Sequence, residues 1–233
     1  MSWFDGGFTA QERTAAGILS TNSRGRTKWI IPVVVATCYA LFTLAVHLRM
    51  LDFLDSAVRR AARPGDVWGP LQVRAAVVAQ GLQPAHLVVP LVLVVAAVSL
   101  VRRSFRPIVV MAIVGSLAIG VTLGTKWVMS HTDTHATRVA HGHFPSGHTV
   151  SVIVAVGLVV LLLRPRTRWG WMLPAVMGCL MGYSLVVIAM HPLTDVVGGF
   201  LLAGAALGTA RAADLGPWAT TGRKTLAEES NGA

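Results

Sequence analysis

Six apolar runs separated by short polar or arginine-rich stretches organise the chain. They cover about Trp29–Leu48, Pro84–Val101, Ile108–Met129, Gly147–Leu163, Trp171–Met190 and Leu193–Ala212. Each approaches the roughly 20 apolar residues that a helix needs to cross a bilayer, the second and fourth being short. The pattern predicts an all-α fold: a bundle of six transmembrane helices over residues 29–212, after an N-terminal segment 1–28 and before a flexible tail 213–233. The first run is too long and too late for a cleaved signal peptide, and Asp5 and Glu12 precede it, so it reads as an uncleaved anchor. One sizeable extramembrane piece remains, residues 49–83. In it Leu51, Phe53, Leu54 and Val58 are set against Arg59, Arg60 and Arg63, which predicts a short amphipathic helix on the membrane surface. Pro64-Gly65 should break it, with a second helical stretch over Leu71–Val78. The competing reading is an outer loop packed over the bundle.

Composition agrees with the runs. Only 13% of residues are charged and 54% are hydrophobic, whereas soluble chains carry roughly a quarter charged residues. A soluble domain, a disordered chain and a disulfide scaffold are all excluded; Cys38 and Cys179 both lie inside apolar runs. The net charge of +10 does not point to a nucleic-acid partner, because three Lys and 17 Arg cluster between the runs. Such clusters mark the cytoplasmic ends of spans. Arg102, Arg103 and Arg106 form one short connection and Arg164, Arg166 and Arg168 another. With these inside, both termini are cytoplasmic, and these Arg clusters meet anionic lipid headgroups. The protein is expected in the cell membrane as a multi-pass protein.

Polar residues near membrane depth are costly and mark function. Here they concentrate in the connection between the third and fourth helices, Lys126 to His148, and at the junction of the fifth and sixth, Ser184 to Asp195. Six of the eight His fall in these two segments. In the expected topology both lie on the extracytoplasmic side. Pro192 after His191 predicts that the fifth helix ends near His191 and that Pro192 occupies the first turn of the sixth. Asp195 then sits four residues from His191 on the same side. Ser184 lies two turns before His191 on the same face. Pro145-Ser146-Gly147 should start the fourth helix with Ser146 as N-cap, its first N–H groups forming an anion site. A His beside a carboxylate, with a second His at a helix start, suits attack on a phosphorus ester. The first can be the nucleophile, held in its tautomer by the acid, and the second can protonate the leaving oxygen.

Pro145-Ser146-Gly147-His148 and Ser184-x6-His191-x3-Asp195 resemble the second and third signature motifs of the type-2 phosphatidic-acid phosphatase superfamily. Its members include integral-membrane lipid phosphate phosphatases and soluble bacterial acid phosphatases. The resemblance covers Lys126 to Ala212 by motif and the whole chain by its six-span layout. It implies His191 as a nucleophile forming a phosphohistidine, Asp195 as its orienting partner and His148 as general acid. Lys126, Ser146, Gly147 and Ser184 would hold the phosphate of a lipid phosphate or polyprenyl (pyro)phosphate. It also implies metal-independent chemistry with no cofactor.

The chain departs from the family at two places. The first motif, Lys-x6-Arg-Pro, reads Asp133-Thr134 after Lys126, and the Arg that follows the Ser of the third motif is Leu185. Arg is the strongest bidentate phosphate donor, so two clamps are missing. Arg138 is the candidate replacement, and His141 or His143 could add donors. An alternative function follows: a non-catalytic or altered-specificity membrane protein of this fold, binding lipid or transferring phosphate to an alcohol. A third reading is a metal-dependent hydrolase, with His131, Asp133, His135, His141 and His143 as zinc ligands.

Overall fold

The computed structural model describes residues 10–132, 144–163, 169–213 and 215, with side chains placed over 27–130, 144–163, 170–213 and 215. Among the described residues there are helices and no strand. The helices are α1 (Ala10–His47), α2 (Asp52–Ala62), α3 (Pro70–Gly81), α4 (Pro84–Arg102), α5 (Arg106–Thr132), α6 (Gly147–Leu163), α7 (Met172–Val187) and α8 (Leu193–Ala212). Single 3₁₀ turns, Pro64–Asp66 and Trp169–Trp171, precede α3 and α7.

Every apolar run has become a helix. The ends differ where apolarity and helicity part company. α1 begins at Ala10, well before Trp29; its first turns hold Gln11, Glu12 and Arg13, good helix formers that a hydropathy pattern passes over. Hydropathy located the span and not the helix. The segment α2–α3 has the predicted break: Gly65 takes the left-handed φ of 64° that a glycine tolerates without cost.

Among the described residues, four helical stretches are long and apolar enough to cross a membrane: Thr27–His47, Pro70–Arg102, Arg106–Ser130 and Leu193–Ala212. The second comprises α3 and α4 together. α6 and α7 are shorter, at 17 and 16 residues. The chain is a membrane protein. α6 sits inside, against α4, α5, α7 and α8, while α8 packs on α1, α5 and α6. α1, α4 and α5 turn apolar side chains such as Ile31, Leu93 and Leu123 outward, as lipid-facing helices do.

Close packing of α6 on α8 depends on small residues, as in other membrane bundles. A Cβ on Gly199 would come 2.9 Å from Thr149 Cβ and 3.1 Å from Ser146 O, and one on Gly198 would collide with the Phe144 ring. Phe144 is fully buried, stacked on Tyr39 with ring centroids 6.3 Å apart and flanked by Phe42. The ring is thus wedged between α1 and the glycines of α8, immediately before the Pro145–His148 segment. Gly198→Ala is expected to destabilise the protein by about 1–3 kcal/mol through overpacking, against the ~1 kcal/mol by which Ala normally improves on Gly in a helix. Gly204, whose Cβ would meet only Val35 Cγ1 at 3.6 Å, is the control, and Gly204→Ala should be neutral or stabilising. Thermal unfolding in detergent checks both; equal effects at the two positions would remove the wedge from the account.

α2 and α3 pack against the later helices. α3 lies on α7, and α2 lies on α7 and α8. Gln72, almost fully buried, ties the pieces together: its Nε2 donates to Ala62 O at 3.2 Å and its Oε1 accepts the Gly69 N–H at 3.0 Å.

Candidate active site

The site forms where the starts of α6 and α8 meet the end of α7. α7 stops at Val187, four residues before His191. Ala189 takes a left-handed φ of 55°, after which the chain folds back. The N–H groups of Met190 and His191 both donate to Leu185 O, at 3.0 and 3.4 Å, satisfying a carbonyl that the helix end would otherwise leave unpaired. The expectation that α7 runs to His191 is therefore corrected: a left-handed residue ends it before Pro192 can. Pro192 is likewise outside α8, as its extended N-cap residue.

His191 nevertheless meets Asp195 as the spacing predicted. Its Nδ1–H donates to Asp195 Oδ2 at 2.8 Å, with both side chains about 95% buried. This bond leaves Nε2 carrying the lone pair. The His148 ring lies edge-on to His191, centroids 5.9 Å apart and planes at 66°. That gap suits a reacting atom held about 3–3.5 Å from one nitrogen with a departing oxygen within ~2.6–3.2 Å of the other.

Ser146 is the N-cap of α6 as predicted. Its Oγ accepts from the Thr149 N–H at 3.4 Å and from the Thr149 hydroxyl at 3.3 Å. Its own N–H donates to Asp195 O at 3.0 Å, so the backbone of one motif is bonded to the backbone of the other. The first-turn amides, Gly147 and His148, have no intrahelical acceptor by helix geometry.

Of the remaining expected ligands, Lys126 on α5 is half-buried and close enough to interact electrostatically with Asp195 and His148. The next residue back, Thr125, is hydrogen bonded to the Tyr39 hydroxyl at 2.8 Å. Ser184 is buried, and its hydroxyl donates to Leu180 O of its own helix at 2.8 Å. Because α7 ends early, Ser184 and His191 are not on one helical face. Leu185 is fully buried in an apolar cluster with Ala79, Val152 and Met181. Arg138, Asp133 and the loop histidines 135, 141 and 143 lie outside the described residues, as does the His131 side chain. The zinc reading and the Arg138 clamp therefore have no geometry.

Sequence reasoning missed Asp55. Its Oδ1 accepts the Thr194 N–H at 3.0 Å and its Oδ2 the Thr194 hydroxyl at 2.6 Å, directly beside Asp195. The signal was present: Asp55 shares the stripe of Leu51, Leu54 and Val58 along α2, where a carboxylate is out of place without a partner.

Residues 122–214 match the family model described as PAP2 superfamily. That span contains Lys126, the Pro145–His148 segment and the bonded pair His191 and Asp195. This part of the chain is similar to the PAP2 superfamily. The fold is similar to that in the crystal structure of a transmembrane PAP2 type phosphatidylglycerolphosphate phosphatase from Bacillus subtilis. It superposes with a TM-score of 0.64 over 79% of this chain and 95% of that one, at 19% identity. At that identity the likeness is one of fold. An undecaprenyl-diphosphatase of Sulfolobus acidocaldarius is 41% identical over 59 residues, which is 25% of this chain and 27% of that protein. The chain thus matches about a quarter of the length of this relative.

Proposed function

We propose that this protein is an integral-membrane lipid phosphatase of the PAP2 superfamily that removes phosphate from a lipid phosphate or polyprenyl (pyro)phosphate through a phosphohistidine. The observation that carries the reading is the buried His191–Asp195 hydrogen bond facing the His148 ring across 5.9 Å. His191 Nε2 attacks phosphorus and the bond to the leaving oxygen breaks, His148 supplying that oxygen with a proton. A water then gives its proton to His148 and attacks the phosphohistidine, releasing inorganic phosphate and restoring both rings. Lys126 and the amides of Gly147 and His148 face the charge that develops on the phosphoryl oxygens. Ser146 completes the cradle through its cap. Ser184 joins it only by exchanging its bond to Leu180 O. Every group in this proposed scheme is a side chain or an amide, and no step in it calls on a metal.

Orientation follows from charge. Arg102 and Arg106, at the end of α4 and start of α5, and Arg211 in the last turn of α8 lie at the opposite helix ends from His148 and His191. The positive-inside rule then puts six spans with both termini in the cytoplasm and the site at the outer leaflet. The undecaprenyl-diphosphatase likeness supports a polyprenyl diphosphate as one substrate class. A second reading, altered specificity or lipid binding without turnover, is favoured by Leu185, which fills with apolar packing a position where the family places Arg.

Phosphate release by the purified protein from phosphatidate, phosphatidylglycerol phosphate and polyprenyl diphosphate, with and without exhaustive chelation, tests the proposal. Release from at least one, unchanged by the chelator, is the expected result. No release from any would leave the second reading, and release abolished by chelation would revive the metal-dependent one.

A further inference from the structure

The face of α2 that packs on the bundle carries a carboxylate. Leu51, Leu54, Asp55 and Val58 are half-buried, whereas Phe53, Arg59 and Arg60 are exposed. Three-and-four spacing puts the first group on one side of the helix. A carboxylate in such a stripe is costly unless its oxygens are bonded. Both oxygens of Asp55 accept from a single residue, Thr194, which lies 139 positions away in sequence and is 2% exposed. Thr194 is the second residue of α8, and its N–H is one of the orphan donors of a helix start. The local N-cap, Pro192, makes no side-chain bond to the helix. Asp55 therefore caps α8 from another part of the chain, with a carboxylate at the positive end of the helix dipole.

The first turn of α8 is joined to three segments. Thr194 is bonded to Asp55, the Asp195 carboxylate to His191, and Asp195 O to the Ser146 N–H. The last two connections are made by parts of the site itself. Asp55 alone comes from outside the PAP2 motifs. Resting on the phosphatase reading above, we propose that Asp55 is a positioning residue for the His191–Asp195 pair: α2 holds the first turn of α8 and so the carboxylate that orients the nucleophile. A corollary is that one helix start at the site already holds a carboxylate, which directs substrate phosphate to the start of α6.

Three variants of the full chain in detergent separate the contributions. Asp55→Ala removes both acceptors. Asp55→Asn keeps an acceptor for the Thr194 amide and can donate to the hydroxyl. Thr194→Val removes only the hydroxyl bond. On a lipid phosphate that the wild type hydrolyses, Asp55→Ala is expected to lower kcat about 10–100-fold with KM changed less than about threefold, the signature of a displaced reacting group. Asp55→Asn should recover most of that loss, and adding Thr194→Val to Asp55→Ala should cost little more, because both act on one contact. An unchanged kcat in Asp55→Ala, or a loss confined to KM, overturns the proposal. Should Asp55→Ala fail to fold, Thr194→Val carries the test, with kcat expected to fall about three- to tenfold; wild-type kcat there overturns it. Hydrogen exchange over residues 191–196 reads the clamp without turnover and is expected to be faster in Asp55→Ala and near wild type in Asp55→Asn. If the wild type hydrolyses no lipid phosphate, the phosphatase reading fails while exchange still decides the clamp: unchanged exchange in Asp55→Ala removes it.

Discussion

His191→Ala should reduce phosphate release to background, a loss of about 10⁴-fold or more in kcat, and Asp195→Asn should come close to it. The first change removes the nitrogen proposed to attack. The second is the sharper test, because it leaves the geometry almost intact. Asp195 accepts the Nδ1–H of His191 at 2.8 Å, and a carboxylate can only accept. An amide can instead donate, and when its NH₂ turns toward Nδ1 the ring proton moves to Nε2 and the nucleophilic lone pair is gone. Where a carboxylate fixes a histidine tautomer in this way, the amide substitution costs about 10³–10⁴ in kcat. Rapid acid quench during a single turnover should trap labelled phosphoprotein in the wild type, none in His191→Ala, and slow formation in Asp195→Asn. An Asp195→Asn enzyme with more than about a tenth of wild-type kcat would show that the bond is a structural cap and not the orienting contact.

Both halves of this pair were legible in the sequence, because a four-residue spacing across a proline leaves few ways to arrange two side chains. The helices were legible for a similar reason: a run of apolar residues of spanning length has one stable form in a bilayer. What could not be read was anything decided by a single backbone turn or by a distant segment. The end of α7 depends on Ala189 adopting a left-handed φ, and alanine carries no mark of that choice as glycine would. The same turn took Ser184 off the face of His191 and left its hydroxyl on Leu180 O. The Asp55–Thr194 contact spans 139 residues; its only local trace was a carboxylate within an apolar stripe. The wedge of Phe144 against Gly198 joins two residues that look like ordinary members of their own segments.

Leu185→Arg, which restores the family residue, is expected to unfold the protein and not to improve it. Taken as a motif, Ser-Leu in place of Ser-Arg is a missing phosphate clamp, and reinstating the guanidinium should strengthen binding. The packing argues otherwise. Leu185 has no exposed surface and lies with Ala79 of α3, Val152 of α6 and Met181 of α7, with Leu82, Leu87, Met177 and Ile188 around them. An unpaired charge in such a cluster costs about 3–5 kcal/mol, and the larger side chain adds about 1–3 kcal/mol of overpacking. Together these rival the whole stability of a small protein, about 5–15 kcal/mol. Leu185 O also accepts the N–H groups of Met190 and His191, so displacing residue 185 would move His191, the proposed nucleophile, as well. Leu185→Arg should therefore show a lowered unfolding temperature, aggregation in detergent and no gain in kcat/KM, while the volume-conserving Leu185→Met stays within about 1.5 kcal/mol of wild type. A well-folded Leu185→Arg protein with raised kcat/KM would mean that the guanidinium reaches the phosphate through this cluster. Failing that, the apolar neighbours of residue 185 and the leucine itself form one packed unit, and the proposed phosphate site would draw on Lys126 and the start of α6 in place of the family's third-motif Arg.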